Sequence, residues 1–231
     1  MPVPKSAVVK LGGHSIFEGL EMDTKYIREL KEVLAETSRL YDWVAIVVGG
    51  GEIARKYISW GRELGLNEST LDVIGLRVAA VNASFLWAYF HGVAPPRIPT
   101  SIYEALEMLP IWRTIFVGGM QPAQSTTTVA ALLAEALRAD KLVIATDVDG
   151  VYNEDPKRNP AARKFDEVTV SELEQLFGKE LIAGGYRLMD RLTLSIIKRS
   201  KVKVRVIAGK PAFNILRALR GDPVGTLIIP E

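Results

Sequence analysis

Residues 44–48 read VAIVV and run directly into Gly49-Gly50-Gly51 and a helical pattern over 52–64. An apolar run that short, mostly β-branched, fits a strand buried on both faces. Such a strand needs helices on each side of its sheet, which commits the chain to an α/β arrangement. The same alternation recurs along the chain. Strands are predicted at 7–11, 115–117, 142–145, 204–207 and 227–229. Helices are predicted at 71–90, 102–108, 129–137, 190–200 and 213–219. Another helix follows Asp23, a capping residue, with Ile27, Leu30, Val33 and Leu34 on one face. The expected fold is α/β: a three-layer αβα sandwich with a largely parallel central sheet. Residues 1–140 and 141–231 are expected to form two lobes of one continuous fold.

Composition removes several chemistries. There is no cysteine, so disulfides, thiolate metal sites and cysteine nucleophiles are excluded. Two histidines, His14 and His91, are too few for a histidine-rich metal centre. Lys and Arg total 29 against 27 Asp and Glu, too even a balance to advertise a nucleic-acid surface. No apolar run in the sequence reads as membrane-spanning and the first residues do not read as a signal peptide. The expectation is a cytoplasmic protein, with no nucleic-acid and no membrane partner.

In open α/β sheets, ligands sit beyond the carboxyl ends of the strands. Four segments lie there. Lys10-Leu11-Gly12-Gly13-His14-Ser15 sets a lysine inside a strand, beside glycines that let backbone approach a phosphate. Gly49-Gly50-Gly51 opens a helix whose free N–H groups favour an anion, with Arg55 one turn on. Residues 118–128, GGMQPAQSTTT, offer amides and hydroxyls at another helix start. Residues 146–156, TDVDGVYNEDP, are acidic. A dinucleotide fingerprint at GGGEIA fails, because Asp72, at the right distance, opens a helix and follows no strand. A Walker motif is absent. The acidic run is no EF-hand, since Tyr152 stands where glycine is required.

Taken in order, these segments resemble the amino acid kinase superfamily, and most nearly its archaeal UMP kinases. The likeness extends to 47–58 (VVGGGEIARKYI), 71–83 (LDVIGLRVAAVNA), 117–137 and 183–200. It implies phosphoryl transfer from ATP, with Mg²⁺ accompanying the ATP, to UMP in pyrimidine nucleotide biosynthesis, by a homohexamer, with residues 1–140 as the acceptor-binding and oligomerisation lobe and 141–231 as the ATP-binding lobe. It implies ATP contacts at Lys10, Gly12, Gly13, His14, Gly51, Arg55, Thr146, Tyr152 and Asp155. UMP contacts are implied at Gly50, Asp72, Met120, Gln121, Pro122, Ala123, Gln124, Ser125 and Thr126. Lys10 and Arg55 would be catalytic, with Asp190 holding Lys10 by a salt bridge. No side chain is assigned to metal. Ala123 departs from the family pattern, which commonly has glycine there. Residues 10–15 are also similar to the opening loop of molybdenum storage proteins on this scaffold, so oxyanion storage is the alternative, beside kinases with other acceptors.

Overall fold

The computed structural model describes residues 4–154, 156, 158–178 and 189–231. Its strands are β1 (Ser6–Leu11), β2 (Phe17–Glu18), β3 (Glu21–Met22), β4 (Trp43–Val48), β5 (Thr114–Val117), β6 (Lys141–Thr146), β7 (Glu167–Thr169), β8 (Val204–Ala208) and β9 (Thr226–Ile229). Its helices are α1 (Gly13–Ile16), α2 (Thr24–Leu40), α3 (Gly51–Glu63), α4 (Glu68–His91), α5 (Ile102–Trp112), α6 (Thr126–Ala136), α7 (Val170–Gly178), α8 (Arg191–Ser200) and α9 (Phe213–Arg220).

Seven strands form one sheet in the order β5-β4-β1-β6-β8-β9-β7, while β2 and β3 pair as a separate hairpin. Every neighbouring pair in the large sheet is parallel except β8 with β9. The central strands β1, β4 and β6 are buried almost throughout, which requires cover on both faces. Helices supply it: α2 packs with α9 and α6 with α8. The predicted sandwich is therefore the observed fold.

Helix ends follow their caps. Asp23 accepts from the Tyr26 N–H and starts α2, as expected. The third predicted helix begins earlier than read, because Asn67 caps it through the Thr70 N–H. Likewise α6 starts at Thr126, capped by Ser125. The helix predicted at 102–108 runs on to Trp112 and contains Pro110. Two-residue strands such as β2 and β3 carry no readable period, and the sequence reading passed over them.

Among the described residues, α4 alone is long and apolar enough to span a membrane, contrary to the reading that no run reaches that length. Here it lies against α3 and the sheet, burying Leu71, Ala79, Asn82, Ala83, Leu86 and Trp87.

Candidate active site

The carboxyl ends of β4, β1 and β6 are level: Leu11 lies opposite Val48 on one side and Ala145 on the other. The turns beyond them are laced together. Gly12 N–H donates to the Ala145 carbonyl at 3.1 Å and Gly49 N–H to the Leu11 carbonyl at 3.0 Å. Gly13 and Gly51 meet backbone to backbone, so a side chain on Gly13 would collide with Gly51. Gly51 also has φ 68°, which glycine adopts without strain. The first two glycine turns thus form one backbone surface. Asn82, buried on α4, donates from Nδ2 to the carbonyls of Gly49 (3.0 Å) and Gly50 (3.3 Å). Sequence reading missed it; an asparagine in an otherwise apolar helical stretch was the available signal.

Lys10 rises from β1 into this surface. The residue is half-buried. Burial pulls its pKa down to about 8, and the charge of Asp147 partly opposes that. His14 feels the same groups. Burial lowers its pKa most, Asp147 and a hydrogen bond with the Thr146 backbone oppose this, and Lys10 and Arg55 lower it further. Lys10, His14, Arg55 and Asp147 therefore form one electrostatic cluster. The Arg55 guanidinium, on the first turns of α3, is paired with Glu52 (Nη2–Oε2 2.9 Å). A buried lysine between glycine turns is a site for phosphate oxygens, whose charge would restore what burial removes.

This has a consequence in solution. The free enzyme loses the Lys10 charge as pH rises through about 8, so kcat/KM for the phosphate donor should fall there. The kcat profile should break at higher pH, because bound phosphate holds the lysine charged. The stability effect has the opposite sign. The unfolded chain binds more protons between about 8 and 10.5, so the cost of the buried charge is relieved as pH rises through that window. Identical breaks in kcat and kcat/KM would remove Lys10 from donor binding.

A cavity of about 200 Å³ opens beside the second glycine turn. Gly50, Gly51, Asp72, Gln121, Gln124 and Thr126 supply its polar wall, and Ala123 lies on its rim with the apolar Ile58 and Leu76. The Gln124 Oε1 is buried with no hydrogen-bond partner. Asp72, near the start of α4, accepts from the Ala123 N–H at 2.7 Å. Three of the predicted acceptor residues do not line this cavity. Met120 packs against the core, Pro122 is exposed in the turn, and Ser125 points at Asp190.

On the other side of Lys10, Thr146 ends β6 and its carbonyl accepts from Gly209 N–H at 2.7 Å. The Tyr152 hydroxyl donates to Asp149 at 2.6 Å, and Lys164 pairs with the same carboxylate. These residues sit beyond β6, where the donor nucleoside was expected. Asp155 lies outside the described residues. Among the described residues no three His, Asp or Glu side chains cluster to cage a metal ion.

Asp190 accepts hydrogen bonds from two helix starts. It caps α8, accepting from Thr193 N–H at 2.7 Å. Ser125 Oγ (2.6 Å) and Thr128 Oγ1 (2.8 Å) also donate to it. Burial would raise its pKa, but these hydrogen bonds outweigh that and lower it. No salt bridge joins it to Lys10; the opposite charge that Lys10 feels is Asp147. The physical reason is the convergence of two helix starts, α6 and α8, on one carboxylate, which leaves it little capacity for a distant ammonium.

Comparison with known proteins agrees with this architecture. Residues 5–208 match the model of the amino acid kinase family. The uridylate kinase of Thermofilum pendens is 50% identical over 96% of this chain and 97% of its own. That of Sulfolobus acidocaldarius is 39% identical over 91% and 94%. The crystal structure of uridylate kinase from Archaeoglobus fulgidus superposes with a TM-score of 0.85 at 36% identity, covering 96% of this chain and 99% of that one. A seven-stranded, mostly parallel sheet, glycine turns joined at its carboxyl end and this extent of sequence identity place the chain in the amino acid kinase family.

Proposed function

We propose that this enzyme transfers the γ-phosphoryl group of ATP to UMP, giving UDP and ADP. The observation that carries the acceptor is the cavity between the glycine turn and residues 121–126. It holds a carboxylate, Asp72, and a buried amide oxygen on Gln124 without a partner. A buried, unsatisfied acceptor costs free energy that a ligand N–H would recover. The N3–H of uracil is such a donor, and the ribose hydroxyls suit the carboxylate. The uridylate kinase relatives support the same acceptor.

The acceptor is itself a phosphate, so no strong base is needed; positioning and charge neutralisation carry the catalysis. Lys10, Arg55 and the N–H groups of Gly13, Gly50 and Gly51 face the transferred group and offset its spreading charge. His14 lies in the same cluster and contacts the donor phosphates. Asp147 sets the charge and direction of Lys10. Thr146 and Tyr152 hold the donor nucleoside. Mg²⁺ accompanying the ATP would supply further positive charge at these phosphates.

The acting form is a cytoplasmic homohexamer taking part in pyrimidine nucleotide biosynthesis. One face of α4 supports assembly: Val73, Val81, Phe85 and Tyr89 recur at helical spacing and are exposed in the single chain.

The test is ADP formation with Mg²⁺, ATP and each nucleoside monophosphate at equal concentration. UMP should exceed CMP by about tenfold or more, since cytosine turns an unprotonated N3 toward Gln124 and leaves its oxygen unmatched. AMP and GMP should be poor, because a purine is larger than the uracil that this wall is proposed to read. Equal rates with CMP and UMP would remove the base-reading argument. No turnover with any monophosphate would overturn the kinase reading.

A further inference from the structure

Residues Gln121, Pro122, Ala123 and Gln124 form a tight turn, closed by Gln124 N–H donating to the Gln121 carbonyl at 3.2 Å. Proline stands second and Ala123, third, has φ 60°. That is the pattern of a type II turn, in which the third position favours glycine. An alanine there carries a strain that a type I turn would avoid, by rotating the Pro122–Ala123 peptide through half a turn. The rotation would swing the Ala123 N–H away from its present direction. What it now meets is Asp72 Oδ2, at 2.7 Å and 51 residues away in sequence. The turn also carries Gln121 and Gln124, both on the wall of the cavity.

We propose that Ala123 is a positioning residue for the acceptor: its peptide is a two-state element, held type II by Asp72, that presets the carboxylate and the Gln121/Gln124 wall together. This rests on reading that cavity as the acceptor site. With Oδ2 engaged by the backbone, Oδ1 is the oxygen left to take the sugar hydroxyls of a ribonucleotide. The alanine makes the preset state conditional. With glycine the turn would stay type II without Asp72. With alanine the strain and the carboxylate contact oppose each other. Charged contacts elsewhere do not compete for this carboxylate, since no ion pair to Asp72 occurs among the described residues.

The experiment is a series at position 123, with KM for UMP and for ATP measured on each variant. Asparagine tolerates positive φ and is larger than alanine, whereas valine resists it. KM for UMP should therefore rise in the order Ala123→Gly, Ala123→Asn, wild type, Ala123→Val, spanning about tenfold from glycine to valine. KM for ATP should move much less. An order that follows side-chain volume, with asparagine beside valine, overturns the proposal, as does an equal rise in both constants. A second readout does not need turnover. In enzyme carrying nitrogen-labelled alanine, the Ala123 amide should resonate downfield and lose that position in Asp72→Ala. An Ala123 amide indifferent to Asp72 defeats the inference even if UMP is the substrate. An amide that behaves as described while UMP is not phosphorylated leaves the contact standing and moves the failure to the acceptor assignment.

Discussion

Replacing Lys10 with methionine should cut kcat by about a hundredfold or more while leaving the free enzyme at least as stable as the wild type. The two effects have one origin. Lys10 is a cation held in a strand at the edge of the core, where burial lowers its pKa to about 8. A basic group whose folded pKa falls below its ordinary value opposes folding whenever it is charged. Methionine keeps most of the stem and removes the charge, so the thermal midpoint should hold or rise. In the transition state the same charge is an asset. Negative charge spreads over the transferred phosphoryl oxygens, and a preorganised ammonium in a site of low polarity stabilises it strongly. Single-turnover kinetics and a thermal melt on the same preparation check both halves. A variant with near-wild-type kcat would return Lys10 to the role of an ordinary strand residue. A variant that is slow because it is unfolded would show it in the melt.

Asp190→Ala should instead lower stability, by about 3 kcal/mol, or roughly 6–12 °C in thermal midpoint for a chain of this length. Three groups lose their acceptor at once: the Thr193 N–H and the hydroxyls of Ser125 and Thr128. Thr128 Oγ1 also lies 2.9 Å from Thr193 Oγ1, so the network ties the start of α6 to the start of α8 directly. Activity should fall as a consequence, because Ser125 and Thr126 continue the loop that walls the acceptor cavity. Asp190→Asn, which keeps one acceptor oxygen, should recover part of the midpoint and of the activity together. The pH dependence follows the sign of the shift. The folded pKa is lowered, so this contribution is complete above about pH 4 and is lost only as pH falls below it. If Asp190→Ala melts like the wild type yet does not turn over, the carboxylate acts on the reaction itself and the staple assignment is wrong.

The elements legible from sequence were those with a local signature. Short apolar runs marked β1, β4 and β6, and the cap Asp23 stood beside the helix it starts. Element ends were less legible where an isolated polar residue decides them. Asn67 extends α4 backward because its side chain accepts from Thr70, a contact that hydrophobic period does not register. Pro110 remains inside α5, although proline usually stops a helix. The candidate site divided the same way. Lys10 and Gly12, Gly13, Gly50 and Gly51 were readable because glycines after buried strands have few other uses there. The partner of Lys10 was not, since both Asp147 and Asp190 lie at element ends and nothing in their own neighbourhoods ranks them.

By itself, then, the sequence determined the α/β alternation and the end of the sheet at which the glycine turns collect. These depend on sterics and hydrogen bonds among near neighbours, which a short window contains. Only the tertiary structure decided which acid faces Lys10, which carboxylate staples α6 to α8, and that the Ala123 N–H meets Asp72. Those contacts join residues 51 and 62 positions apart in the two cases where a carboxylate is hydrogen-bonded, Ala123 with Asp72 and Thr128 with Asp190. Hydrogen bonds act over about 3 Å. Which of several chemically equivalent acids arrives within that distance is set by how the helices pack on the sheet, not by any property of the acid.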